Sequence, residues 1–334
     1  MIHHSKFYGH IQDFRDYHKI FVIDEEPTLL VIGSPYWILQ LGLPVKRFVK
    51  VMDKKTHVEK LLEQYGINDQ RTDSWHQKRG EMLTASDIYK ALRDATPSQR
   101  YELIMSKLVP RVFGEGVGPR ALVWGTRFEP VAKELYMEWN SGIRIVDTSC
   151  ITHPEVSYLG ASPDGILITD DYTDDRYGML VEFKCPISRI FSEDTPIPPQ
   201  YYHQMQLQME CSGIKQCDYV EVKFKDMSYS SWVDSPAKYK AWFAVYEDEK
   251  TIKYKSINDP RDLVTWKKEE IPNPEEWNMI YWVLECNRAV VVPHQADWLS
   301  TNLESIKSVW DEILKHRENG TLPEHPKEKT ILTL

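Results

Sequence analysis

YLGASPDGILI (158–168) and GMLVEFKCPI (178–187) are the two stretches whose reading decides the fold. Both are apolar and β-branched, and both are bounded by turn formers, which predicts two strands. The acidic, turn-rich TDDYTDDRYG (169–178) between them predicts a hairpin. Side chains alternate along a strand with a period of two, so Glu182 and Lys184 point to one face. A hairpin would bring Asp164, in its Pro-Asp-Gly turn, close to Glu182. A Glu–Lys pair two residues apart is commonplace on an exposed strand, and Pro-Asp-Gly is a common turn. VEFKCPI is otherwise apolar, however, so its charges fall in a strand that is at least partly buried, where they need a purpose. Two converging carboxylates suit a hard divalent cation such as Mg²⁺. A lysine beside them can orient a water or offset charge developing on phosphorus.

Outward from this pair, IRIVDTSCITH (143–153) predicts a third strand, set off by Pro154-Glu155. GTRFEPVAKELYMEW (125–139) has helical spacing, with Phe128, Val131, Leu135 and Met137 or Trp139 inward. PPQYYHQMQLQMECSG (198–213) opens with prolines and closes with Gly213, the usual asymmetry of helix ends. CDYVEVKF (217–224), AWFAVYE (241–247) and KYKSI (253–257) predict further strands. SDIYKALRDA (86–95) reads as a helix capped by Ser86, and VEKLLEQYGI (58–67) as one closed by Gly66. Residues 272–320 read as largely helical, and 322–334 as loose. The order helix, three strands, helix, strand describes a mixed α/β core with a central mixed sheet flanked by helices. The expected division is an N-terminal extension at 1–70, a core at 71–290 and a helical C-terminal segment at 291–334.

The 334 residues are 42% hydrophobic and 12% aromatic, which is ordinary for a globular protein. No run approaches the roughly 18 uncharged apolar residues of a membrane span, and MIHHSKFYGHIQDFRD lacks the apolar stretch of a signal peptide. The expectation is a soluble, intracellular enzyme. The five cysteines form no C-x-x-C pair, which argues against a disulfide framework or a zinc site. A net charge of −9 does not advertise nucleic-acid binding. Carboxylates gathered for a metal contribute to that charge, while Lys46, Arg47, Lys50, Lys54 and Lys55 form a local basic run that most simply reads as a solvated helix face.

Five motifs in order then carry a family resemblance over roughly residues 73–225. They are Trp75-His76-Gln77-Lys78-Arg79 with Leu83-Thr84-Ala85-Ser86, Trp124-Gly125-Thr126-Arg127-Phe128-Glu129, Gly160 to Gly165, Glu182-Phe183-Lys184-Cys185-Pro186 with Ser188-Arg189, and Tyr202-His203-Gln204-Met205-Gln206. Together they resemble the phage lambda exonuclease and YqaJ-type viral recombinase branch of the PD-(D/E)xK nucleases, with its restriction-endonuclease-like core. The resemblance implies a metal-dependent exonuclease releasing mononucleotides 5′→3′ from double-stranded DNA with a free 5′ end. Mg²⁺ is the implied cofactor, with Mn²⁺ able to substitute. It makes Asp164, Glu182 and the backbone carbonyl of Phe183 metal ligands, with Glu129 reaching the metal from its helix. Lys184 would position the attacking water, and Gln204 would hold that water or the lysine, with Gln206 and Gln208 as alternatives. Arg79, Ser86 and Ser162 would form a pocket for the 5′-terminal phosphate, and Arg189 would contact the scissile phosphate. A guanidinium suits such work because it grips phosphate oxygens two at a time.

Blander readings stand beside these. Glu129 could be an exposed helix residue, and Arg79 could pair with Glu81 or Asp87. His203 reads as structural, and Trp75 and Trp124 read as core rather than base-stacking platforms. The long 165–181 hairpin and the extra N- and C-terminal parts depart from the phage pattern, so its ring-shaped trimer does not carry over, although an oligomer fits. Viral members of the branch act in replication and recombination, which implies a host cytoplasmic or nuclear setting and a single-strand annealing protein as partner. The competing functions are an endonuclease or RNA-degrading nuclease with the same metal site, and an inactive module that binds DNA or protein.

Overall fold

The computed structural model describes residues 20–21, 28–32, 38–67, 69–109 and 119–326, with side chains from residue 54 onward. The segment MIHHSKFYGHIQDFRD and the side chains of Lys46, Arg47 and Lys50 lie outside the described residues, as do residues 327–334 of the expected loose end. The chain divides into two units, residues 1–64 with 171–175, and residues 65–170 with 176–334.

In the first unit three antiparallel strands, β1 (Ile20–Phe21), β2 (Thr28–Ile32) and β3 (Ile38–Pro44), lead into α1 (Val45–Tyr65). This helix starts well before the expected Val58 and ends at the expected Gly66. Lys54 donates to the carbonyl of Asp175 (3.1 Å), and Lys55 lies over the Tyr172 ring (4.9 Å) and pairs with Glu59.

The second unit is mixed α/β. It begins with α2 (Asp73–Gly80), β4 (Leu83–Thr84), a 3-10 segment (Ala85–Ala91), α3 (Pro97–Leu108) and α4 (Arg120–Trp139). Next come β5 (Arg144–Val146), β6 (Ile151–Thr152), β7 (Leu159–Ala161), β8 (Gly165–Ile168) and β9 (Leu180–Lys184). The remaining elements are α5 (Pro199–Ser212), β10 (Gln216–Met227), α6 (Tyr229–Asp234), β11 (Lys240–Tyr246), β12 (Ile252–Tyr254), α7 (Leu263–Glu270), β13 (Trp277–Pro293) and α8 (Trp298–Asn319). Seven strands pair in the order β12-β11-β13-β10-β9-β8-β5. Every neighbouring pair in that sheet is antiparallel except β9 with β10, which α5 connects as a parallel crossover. The short strands β4, β7 and β6 form a separate sheet.

Several expectations change. IRIVDTSCITH and YLGASPDGILI each break in two, because β5 and β8 join the large sheet while β6 and β7 join the small one. At Gly160 in β7 an added Cβ would meet the Met82 sulfur at 2.1 Å, so this motif glycine is there for close packing. Residues 277–293, read as helix, form the long strand β13, paired with both β10 and β11. Its Trp, Tyr, Val and Ile residues fit a pleated surface better than a helix, and tertiary pairing decides the matter. Helix α8 follows only at Trp298 and closes at Gly320 with φ +62°. The 86–95 stretch is 3-10 only as far as Ala91, and Ser86 lies within that segment rather than capping it. The hairpin β8–β9 forms as expected, with Gly165 opposite Val181.

The strands β9 and β10 bury both faces. On one, Val181, Phe183, Val220, Val222 and Phe224 pack with Phe128, Val131, Ala132, Leu135 and Tyr136 of α4. Pro130 sits inside that helix, and Met137 and Trp139 are only partly buried. Burying a side chain of Phe or Val size contributes about 1.5–3 kcal/mol, so this layer anchors the sheet. The other face carries Glu182, Lys184, Tyr219 and Glu221, with Tyr219 in register with Glu182 and Glu221 with Lys184.

Candidate active site

The hub of the polar face is Glu182, whose side chain is 1% exposed. Its Oε1 accepts from Lys184 Nζ at 2.5 Å and from Gln204 Nε2 at 2.6 Å, and its Oε2 accepts from Gln208 Nε2 at 2.6 Å. Lys184 Nζ also donates to Gln204 Oε1 (3.3 Å) and lies over the Tyr201 ring (4.7 Å). Three residues of α5, Tyr201, Gln204 and Gln208, therefore face the strand across about two helical turns. Both oxygens of this buried carboxylate thus have hydrogen-bond partners, which offsets the cost of removing it from water. Of the alternative glutamines, Gln208 reaches Glu182, whereas Gln206 binds the carbonyl of Pro293 (3.0 Å) and the amide of Gln295 (2.8 Å).

Asp164 sits in the turn before β8 and accepts the Phe183 amide at 2.7 Å on one oxygen. Burial, followed by the Glu182 and Glu129 carboxylates, raises its carboxyl well above the usual range, with Lys184 and Lys133 acting in the opposite sense. Burial works against the charge on Lys184, but Glu182 and Asp164 outweigh it and raise the ammonium pKa. Lysine here is a fixed cation, which suits charge offset and orientation of a water rather than proton abstraction.

Glu129 comes from α4 and is 18% exposed, so it is not an exposed helix residue. It pairs with Arg71 (2.7 Å) and Lys133 (3.2 Å), and Lys133 also pairs with Asp147 (2.8 Å). Burial opposes the charge of Lys133, while Glu129 and Asp164 raise its pKa above the ordinary lysine value. Sequence reasoning missed Arg71 and Lys133. For Lys133 the signal was available, because it lies four residues after Glu129 in one helix. Arg71 carries only the local mark of a left-handed φ of +70°, which a sequence does not display.

The second cluster is built on Arg79. Its guanidinium donates to Ser86 Oγ (2.9 Å), Ser162 Oγ (3.3 Å) and Thr84 Oγ1 (3.4 Å), and it stacks on Trp75 (4.4 Å). Trp75 Nε1 donates to the same Ser162 Oγ at 3.1 Å. Among the described residues no carboxylate is within ion-pair distance of Arg79; Asp87 pairs instead with Lys90 (3.4 Å). Burial lowers the pKa of this guanidinium, while the more distant Glu182 is among the charges acting the other way. Arg79, Ser86 and Ser162 are thus brought together, and Thr84 joins them. A half-buried cation whose hydrogen-bond partners are neutral hydroxyls is prepared for an anion.

Arg189 follows β9 and pairs with the buried Glu221, and it donates to Tyr219 Oη at 3.3 Å. His203 accepts from Trp298 Nε1 (3.0 Å), a packing role. Trp124 packs against the core, its ring tilted against that of Phe128 with centroids 4.4 Å apart. Trp75 serves the Arg79 cluster instead of the core. The five cysteines are all free.

Among the described residues no three Asp, Glu, His or Cys side chains already stand in a metal-ligating arrangement, since Glu182 and Glu129 are turned onto cations and amides of the chain. The donor set nevertheless fits a hard divalent cation. Three carboxylates, Asp164, Glu182 and Glu129, lie close enough to raise the first of them, and all three offer oxygen ligands.

Residues 74–215 match the model of the YqaJ-like viral recombinase domain. No curated protein matches the chain in sequence. Similar solved structures include an alkaline exonuclease from Laribacter hongkongensis, at 19% identity over 74% of this chain and 95% of that one, with a TM-score of 0.44. The same enzyme in complex with dAMP gives a TM-score of 0.43, at 19% identity and the same coverage. A phage-related exonuclease from Haemophilus somnus 129PT gives 14% identity over 72% and 96% of the two chains, with a TM-score of 0.41. Glu129, Asp164, Glu182, Lys184, Gln204 and the Arg79 cluster all lie inside residues 74–215, the part of the chain that is similar to the YqaJ-like viral recombinase domain.

Proposed function

We propose that the chain is a DNA exonuclease, a phosphodiester hydrolase, that depends on Mg²⁺ and releases mononucleotides 5′→3′ from double-stranded DNA with a free 5′ end. The observation that carries this reading is the pairing of two clusters: a half-buried Asp164–Glu182–Lys184 constellation, and a half-buried Arg79 whose side-chain hydrogen bonds all go to hydroxyls. The match of residues 74–215 to the YqaJ-like viral recombinase domain supports it. Asp164, Glu182, Glu129 and the Phe183 carbonyl would hold the cation, and Mn²⁺, with the same preference for oxygen, would substitute. When bound, the ion supplies neutralisation of the phosphate oxygens and of the leaving 3′-oxygen.

The residues of the chain do the rest. Lys184, fixed between Glu182 and Gln204, orients the attacking water in line with the leaving oxygen. Gln204 holds the lysine through its Oε1 and the carboxylate through its Nε2. Arg79, Ser86 and Ser162 bind the terminal 5′-phosphate, and the distance from that pocket to the catalytic strand sets the length of the product. Arg189 contacts the phosphate under attack. A single-strand annealing protein is the partner chemistry suited to the strand left behind.

The test is product analysis on linear duplexes with a 5′-phosphate or a 5′-hydroxyl, closed circles and single-stranded RNA, each with Mg²⁺ or EDTA. Mononucleotides from the phosphorylated ends only are expected. Cutting of circles or RNA would replace the exonuclease reading with that of a broader nuclease.

A further inference from the structure

Arg189 does not stand by itself. Glu221, on β10, is fully buried and uses both carboxylate oxygens, Oε1 on Arg189 and Oε2 on Arg288. Arg288 comes from β13, in register with Glu221, and is itself almost fully buried. It grips Oε2 with Nε at 2.7 Å and Nη2 at 2.5 Å. Its remaining arm, Nη1, donates to the backbone carbonyls of Ser192 (3.1 Å), Glu193 (3.3 Å) and Thr195. Those carbonyls belong to residues 185–198, which link the catalytic strand β9 to the glutamine helix α5. Phe191, in the same segment, lies beside both guanidiniums, 5.9 Å from Arg189 and 5.5 Å from Arg288, while its neighbour Ile190 is 81% exposed.

Burying a carboxylate between two arginines is costly, and well-packed apolar residues would hold the same strands together at least as firmly. Such a trio gives direction in return. A planar fork of five donors fixes one carboxylate and three carbonyls at once, which neither an apolar side chain nor a lysine can do. We propose that Glu221 and Arg288 are positioning residues of the nuclease site: they fix the loop after Lys184 and aim Arg189. A part of the chain beyond residues 74–215 thereby completes the phosphate-binding side of the site. The inference rests on the nuclease reading for what Arg189 does, but the hold on the loop stands on the contacts alone.

The experiment compares the full chain with Arg288→Lys, Arg189→Ala and the double variant. Hydrogen exchange of residues 188–197 is measured without DNA. Salt-dependent binding to a 5′-phosphorylated duplex is measured in EDTA, and kcat and KM in Mg²⁺. Arg288→Lys is expected to speed exchange in the loop about tenfold while the amides of β9 and β10 keep their protection. It should lower kcat/KM by about tenfold or more and reduce the salt slope by about one, as Arg189→Ala does. The double variant should lose little beyond Arg189→Ala. Unchanged exchange in the loop, or losses that simply multiply in the double variant, would overturn the proposal. If the native chain neither cleaves nor binds DNA, the nuclease reading fails, and the exchange measurement still decides whether Arg288 holds the loop. Should Arg288→Lys not fold, Glu221→Gln, isosteric and uncharged, replaces it under the same expectations.

Discussion

The two faces of strands β9 and β10 are made of alternate residues of the same short segments, yet they do opposite work. Val181, Phe183, Val220 and Val222 face α4 and form a core in which almost every neighbour is apolar. Glu182, Lys184, Tyr219 and Glu221 face the other way, equally removed from water or nearly so, and are satisfied only by specific partners. Packing on the first face tolerates any side chain of the right volume. On the second, each atom has a named partner, and the loss of one leaves another stranded. Buried polarity alternating with buried apolarity is therefore the mark of the site.

The comparison can be broken from either side. The largest expected effect is on the apolar face, where Phe183→Ala should cost about 3–5 kcal/mol of stability by leaving a cavity. Chemical denaturation should show that loss, while the protein that stays folded still cleaves. On the polar face, Glu182→Gln should cost about 10²–10³-fold or more in the rate of phosphodiester cleavage, the scale of a lost charge-stabilising group. Circular dichroism should find its fold intact. Arg79→Ala should reduce the preference for 5′-phosphorylated over 5′-hydroxyl ends by about tenfold to a hundredfold, as expected when a charge-assisted hydrogen bond of about 1.5–3 kcal/mol is lost. Competition between the two substrates measures it. Gln208→Met should slow cleavage about fivefold, close to 1 kcal/mol for one hydrogen bond. Gln206→Met should leave the rate alone and only lower the melting temperature.

The smallest effect on stability sharpens the contrast most. The Asp164 carboxyl is raised by burial and by its neighbouring carboxylates, so the folded chain binds this proton more tightly than the unfolded one. Stability of the metal-free protein from this group is then full below the ordinary Asp range near 3.9 and falls as pH rises through the raised folded value. Asp164→Asn keeps an acceptor for the Phe183 amide and removes that dependence. It should therefore abolish cleavage while raising the melting temperature in EDTA at neutral pH by a few degrees, about 2–4 °C for each kcal/mol. A melting series against pH, with and without the substitution, checks both the sign and the window.

Much of this was legible in the sequence because the informative residues break a local rule. Two charges in the apolar run LVEFK needed a reason, and Pro198, Pro199 and Gly213 marked both ends of the helix facing them. The sheet order was less accessible. Strand β13 lies in the 272–320 stretch that was read as largely helical from its Trp, Leu and Ile spacing, and only pairing with β10 and β11 makes it a strand. The roles of Glu221 and Arg288 were hidden for the same reason, since they meet through register across strands far apart in sequence. Gln208 outranks Gln206 through the phase of α5 against β9, which no spacing rule supplied. Ser86 was read both as a helix cap and as a neighbour of Arg79, and its hydroxyl accepts from Arg79 and caps no helix.

The most direct test of the central claim is cleavage of a linear, 5′-phosphorylated duplex by the native chain and by Lys184→Ala, each in Mg²⁺ and in EDTA. Mononucleotides released by the native chain in Mg²⁺ alone, with release lost in the variant while its melting transition persists, are the expected result. Equal cleavage by the variant, or no cleavage by the native chain in Mg²⁺ or Mn²⁺, would contradict the assignment of Asp164, Glu182 and Lys184 as a hydrolytic centre.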